Sequence, residues 1–240
     1  PVDNTPEGMI KIMPGSFNFY TKRAADALDP FIPFPDYSDT NHVTMPGYYM
    51  DQYPVTNKIY KIFVDQSSYN PYDTTNYLKH WLNNKPKPGS EELPVVYVNL
   101  DDARAYARWA GKRLPTEIEW QYAAQGNDMR LYPWGNSIDS TRCNYNTNFP
   151  TPVSMFPAGA SPFGVCDMVG NVWQMTADVY DNGSYFFNII RGGSYYHPTQ
   201  SIWYVTGGPQ PVCHPEMLLL VAPGLDRNST VGFRCVQDSK

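Results

Sequence analysis

The sequence predicts an α+β domain with little regular secondary structure, and three observations lead there. Of its 240 residues, 23 are Pro and 17 Gly, a level that shortens helices and multiplies turns. The helix signals all fall in the first half of the chain, where two capping boxes pair Asn99 with Asp102 and Thr116 with Glu119. From Asn127 to the end, only short apolar runs alternate with turn residues. With 42% apolar residues, no internal repeat and no low-complexity linker, residues 1–240 read as one globular domain able to bury a substantial core.

Taken in order, Met9 to Tyr20 alternates well enough for a pair of strands around Pro14-Gly15. Residues 22–47 are rich in Pro and Asp and read as loop, and Tyr48 to Tyr53 is a short strand. Thr56 can cap a helix that places Ile59, Ile62 and Phe63 on one face. After a polar, Pro-containing excursion over 68–93, Pro94 to Val98 reads as a strand. Asn99 then caps a helix with Ala103, Tyr106, Ala107 and Ala110 along its buried side, ended by Gly111. Thr116 caps the next, with Trp120, Ala123 and Ala124 inward and Gly126 as the stop. Val231 to Val236 reads as the final strand. Irregular chain on this scale often needs an ion or a covalent bridge to hold it.

Several function classes fall away. A net charge of −5 with no basic run argues against nucleic acid as a partner. The longest apolar run, Met217 to Ala222 closed by Pro223, is far short of the roughly 20 residues of a membrane helix, so no membrane span is expected. The chain opens at Pro1 with no visible signal peptide, which predicts a mature or excised part of a longer protein. Cys143, Cys166, Cys213 and Cys235 show neither a C-x-x-C nor zinc spacing with His42, His80, His197 and His214. They read as buried free thiols or one structural bridge, with three pairings open. Phosphate loops, H-E-x-x-H, G-x-S-x-G and dinucleotide fingerprints are missing. The carboxylate pairs Glu91-Glu92 and Asp101-Asp102 are sequence neighbours whose side chains diverge, which suits a solvated turn and a helix start.

Seven stretches taken together are more specific: EGMIKIMPGSF (7–17), MDQYPVTN (50–57), GKRLPTEIEWQYAAQG (111–126), YPWGN (132–136), FGVCDMVGNVWQMTAD (163–178), RGGSYY (191–196) and GFRCV (232–236). In this order they resemble the formylglycine-generating-enzyme (sulfatase-modifying factor) family over nearly the whole chain. The resemblance implies a fold related to C-type lectins. It also implies structural calcium in the 167–174 segment, held by Asp167, the Gly170 and Val172 carbonyls, and the position of Gln174, where the family usually has Glu. Side-chain oxygens at both ends with carbonyls between suit a hard ion that takes six to eight such ligands. A second family calcium site would fall near Asn144 and Tyr145, but the loop that follows has no acidic residue, so that site is not expected.

In the family's enzymes, two cysteines after Gly-Gly-Ser hold copper and activate oxygen. Soft thiolates suit Cu(I). Here those positions are His197 and Ile202, and an arginine expected next is Trp203, while Ser194 is kept. The family's acidic residue in the early Y-x-V-[ST]-N motif is Pro54, and its Asn before GFRC is Thr230. No copper is therefore expected, and formylglycine generation by the usual mechanism is not. His197, Cys213, His214 and Glu216 are the residues that would have to converge for another metal centre. The aromatic residues Tyr195, Tyr196, Trp203 and Tyr204, with His197, would crowd the old cleft as carbohydrate and peptide sites do, or else fill the core. The expected function is a non-catalytic module for a glycan or protein ligand, extracytoplasmic by family habit. The alternative is an oxidoreductase of altered chemistry using Ser194 and His197.

Overall fold

Described by a computed structural model, the protein is defined at residues 5–23, 40–145, 147–197, 207–220 and 224–239. Among the described residues, the strands form three separate sheets. In the first, β1 (Met9–Ile12) and β9 (Val236–Asp238) flank β4 (Tyr48–Asp51). In the second, β2 (Gly15–Phe19) pairs antiparallel with β3 (Asn41–Met45). The third has the order β7 (Pro215–Leu219), β6 (Phe186–Arg191), β5 (Trp173–Asp181), β8 (Val231–Phe233), with only β5 and β8 parallel.

The 9–20 segment contains two strands as expected, but they pair with other partners. Pro14-Gly15 acts as a switch between sheets rather than as a hairpin turn. The Tyr122 hydroxyl donates to the Met13 carbonyl, and a Cβ on Gly15 would meet that hydroxyl at 2.4 Å, so helix packing pulls the two strands apart. The loop expected over 22–47 contains β3, whose alternation is masked by its two exposed leading residues, Asn41 and His42.

Helix α1 (Asn57–Ser67) is capped by Thr56, whose side chain accepts from the Ile59 N–H. It buries Tyr60 and Phe63, whereas Ile59 and Ile62 are each 43% exposed, so the expected face is rotated. The first turn is tied to the 90–93 loop: Asn57 N–H reaches Leu93 O, Lys58 N–H reaches Glu91 O, and Asn57 Nδ2 reaches Ser90 O. That anchor sets the rotation and brings Tyr60 to stack on Tyr106 at 5.7 Å. Pro94 to Val98 forms no strand. It makes one bridge, Thr56 to Pro94, and is interrupted at Tyr97, which holds a left-handed φ of 56°.

Helices α2 (Leu100–Trp109) and α3 (Glu117–Gln125) both carry complete capping boxes, with Asn99/Asp102 and Thr116/Glu119 bonded reciprocally. Gly111 and Gly126 follow their ends in left-handed conformations. One core lies between α1, α2 and the third sheet, around Tyr60, Phe63, Tyr106, Trp173 and Phe233. The other joins α3 to the first two sheets through Ile12, Phe17, Met50, Trp120 and Val236. The expected last strand, 231–236, is two strands in different sheets. They divide at Arg234-Cys235, where the buried Arg234 side chain takes carbonyls from both sides.

Candidate functional site

The RGGSYY stretch begins where β6 ends. Gly192 and Gly193 both adopt positive φ, 93° and 78°. A Cβ on Gly192 would meet the Met168 carbonyl at 2.4 Å, and one on Gly193 the Gly208 carbonyl at 2.2 Å. Only glycine lets the backbone pass between the 167–171 turn and the 207–210 segment. Both walls then bond to it: Gly170 N–H donates to Gly192 O, Ser194 N–H to Gly208 O, Tyr195 N–H to Asn171 O, and Gly208 N–H to Tyr196 O.

This backbone sorts the candidate side chains. Ser194 is fully buried, and its Oγ accepts from the Tyr196 N–H at 3.3 Å. Tyr195 is also buried, directs its hydroxyl to the Ser229 carbonyl, and has its pKa raised by burial. It is a packing residue rather than a surface contact. Tyr196 and His197 are exposed. The His197 ring lies over Gly208, beside Tyr145 at 5.6 Å, with Nε2 2.7 Å from the Tyr145 carbonyl. A carbonyl only accepts, so Nε2 carries the proton. Trp203, Tyr204 and Ile202 lie outside the described residues.

His197 and His214 do not converge. His214 is buried beside Trp173, with Nε2 3.5 Å from Glu216 Oε2, and Glu216 pairs with Arg23. Among the described residues no three His, Cys, Asp or Glu side chains are placed to hold a metal ion. The separation has a plain cause: His197 leaves on the 192–197 segment, while His214 enters at the start of β7.

Beneath the site lies a buried polar hub that the sequence reading missed. The Arg191 guanidinium is fully buried and reaches Glu117 Oε1 at 2.6 Å, Gln121 Oε1 and the Val212 carbonyl. Burial pulls its pKa down and pushes that of Glu117 up, each opposed by the other's charge. An Arg closing the mostly apolar stretch Phe186–Arg191 was the available signal, since a charge there must be paired to be buried.

The 167–174 segment brings Asp167, Gly170, Val172 and Gln174 together, all buried. Asp167 and Asn171 hold left-handed φ values of 54° and 59°. Asn171 Nδ2 donates to Asp167 Oδ2 at 2.8 Å. The expected oxygen cage meets a different arrangement at Gln174. Its Nε2 donates to the Asp167 and Met168 carbonyls at 2.9 and 3.2 Å, and its Oε1 accepts from Trp120 Nε1 and Arg234 Nε at 2.9 and 2.7 Å. Arg234 Nη2 also donates to the Asp167 carbonyl.

Residues 1–239 match the sulfatase-modifying factor enzyme 1-like domain. The chain belongs to the FGE-sulfatase family. Within it, the chain is 32% identical over 215 residues to the serine/threonine-protein kinase Pkn1 of Chlamydia trachomatis, covering 83% of this chain and 34% of that protein. It is 32% identical over 201 residues to the inactive C-alpha-formylglycine-generating enzyme 2 of Mus musculus, covering 64% and 65%. This FGE-sulfatase chain therefore spans less than two thirds of either relative. The solved structure of PvdO from Pseudomonas aeruginosa superposes with a TM-score of 0.68 at 23% identity, over 96% of this chain and 94% of that one. The fold is the expected α+β, C-type-lectin-like one.

Proposed function

We propose that this FGE-sulfatase domain is a non-catalytic ligand-binding module. The observation that carries the reading is His197. It stands where the family resemblance places the first copper cysteine, and its Nε2–H is spent on the Tyr145 carbonyl while its ring covers Gly208. Ser194, the retained polar residue of the same stretch, is sealed from solvent. Among the described residues of this stretch, Tyr196 and His197 are exposed, and their flat faces and polar tips suit a glycan or a protein ligand. We place the domain outside the cytoplasm, as part of a longer protein. A family relative with an inactive name sits comfortably with this reading.

The test combines metal analysis, oxygen uptake and a glycan array on purified protein. The expected outcome is no stoichiometric copper or iron, no oxygen uptake with thiol substrates, and saturable binding that Tyr196→Ala weakens about tenfold, equivalent to roughly 1.4 kcal/mol. Stoichiometric copper or iron, with oxygen uptake lost in His197→Ala, would establish the oxidoreductase alternative instead.

A further inference from the structure

We propose that the Gln174 side-chain amide takes the place of the structural calcium ion that the family resemblance implies, so that the 167–174 segment is held together without a metal. A glutamine amide has two N–H donors and one carbonyl oxygen with two lone pairs. All four are used here, by the Asp167 and Met168 carbonyls on the nitrogen side and by Trp120 Nε1 and Arg234 Nε on the oxygen side.

The partners also fix the orientation. Turning the amide over would set its oxygen against two carbonyl oxygens and its N–H groups against two N–H donors. The nitrogen is therefore assigned by its surroundings.

A carboxylate in the same place would present an oxygen to the Asp167 and Met168 carbonyls. Three acceptors facing one another in a buried site repel, and a cation bound by oxygens at about 2.3–2.6 Å is the usual remedy. The amide supplies hydrogens at that point instead. Arg234, fully buried, adds a fixed positive charge on the Asp167 carbonyl from the other side. With its Oε1 taken by Trp120 and Arg234 and hydrogens on its nitrogen, the Gln174 amide has no oxygen left to offer a cation beside Asp167 and the Gly170 and Val172 carbonyls. Asn171 donates to the one carboxylate that remains, on Asp167.

The experiment follows thermal unfolding of the full chain in millimolar calcium and in chelator. The wild-type melting temperature is expected to agree between the two buffers within about 1 °C, and calorimetric titration of chelator-treated protein with calcium to give no stoichiometric binding. Gln174→Glu is expected to melt roughly 5–10 °C lower in chelator and to recover much of that loss with calcium. Gln174→Met, which removes both donors without adding charge, is expected to melt lower in both buffers alike. A wild-type melting temperature that falls by several degrees on chelation overturns the proposal. So does a Gln174→Glu variant as stable in chelator as the wild type.

Discussion

His80 shows how far one residue's surroundings can be read as solution behaviour. Asn57 Nδ2 donates to Ser90 O, which leaves Asn57 Oδ1 to accept from both Trp81 Nε1 and His80 Nε2 at 2.8 Å. The proton is thereby placed on Nε2. The other nitrogen, Nδ1, is buried without a partner, and the ring stacks on Tyr97. Burial, helped by the Lys87 charge, pulls the His80 pKa down to about 4. The unfolded chain takes up this proton near pH 6.5 and the folded one only near 4. Stability from this group is therefore complete above pH 6.5 and lost as pH falls toward 4. We expect a loss of about 2 kcal/mol between pH 7 and 4.5 relative to His80→Gln, which keeps a donor toward Asn57 but does not titrate. Denaturant midpoints of the two proteins at both pH values measure it; an unchanging difference would refute it. Nothing in the neighbouring sequence announces this histidine, because its partners come from α1 and from the turn at Tyr97.

At the scale of elements, the helix starts were legible and the strand partners were not. A capping box is four consecutive residues, and its bonds close within them whatever the rest of the chain does. Thr116 and Glu119 behave accordingly, and Glu119 adds a bidentate pair with Arg113 at 2.6 and 2.7 Å. This helix start also aims Glu117 at Arg191, so it supports the floor of the candidate site. Thr116→Ala is expected to lower stability by about 1 kcal/mol, and Thr116→Ser to recover most of it. Urea denaturation reads both, and equal stability of Thr116→Ala and wild type would show that the hydroxyl contributes nothing. The strands differ because a period of two marks an extended segment without naming its neighbour. Met9–Ile12 and Gly15–Phe19 were both visible as extended, yet each found its partner across a long stretch of chain, Met9 at Asp51 and Phe19 at Asn41. The face of α1 was misread for a related reason: the 90–93 loop, not the helix's own pattern, sets its rotation.

On the scale of the whole molecule, two hydrophobic cores are held with no disulfide between them. All four cysteines are free and buried. Burial pushes the Cys143 thiol up to about 12 and raises those of Cys166 and Cys235. Thiols kept protonated and covered react slowly with disulfide reagents. A dithionitrobenzoate assay should therefore find almost no reactive thiol in the native protein and all four in guanidinium, with a melting temperature indifferent to reductant. Rapid labelling of the native protein would count against a closed interior.

Fold class, helix starts and family could be read from the residues alone, because capping boxes, glycine-bearing turns and seven ordered motifs are local and specific. The same motifs also located the RGGSYY stretch and the 167–174 segment. The tertiary structure decided what those stretches hold. Tyr195 turned inward, His197 settled against Tyr145, His214 was kept apart from it, and Gln174 found four partners from α3, the 167–168 turn and the last strand region. The reason is physical. A local motif satisfies its own hydrogen bonds, whereas a buried amide, guanidinium or imidazole must be satisfied by groups that only the folded chain brings within reach.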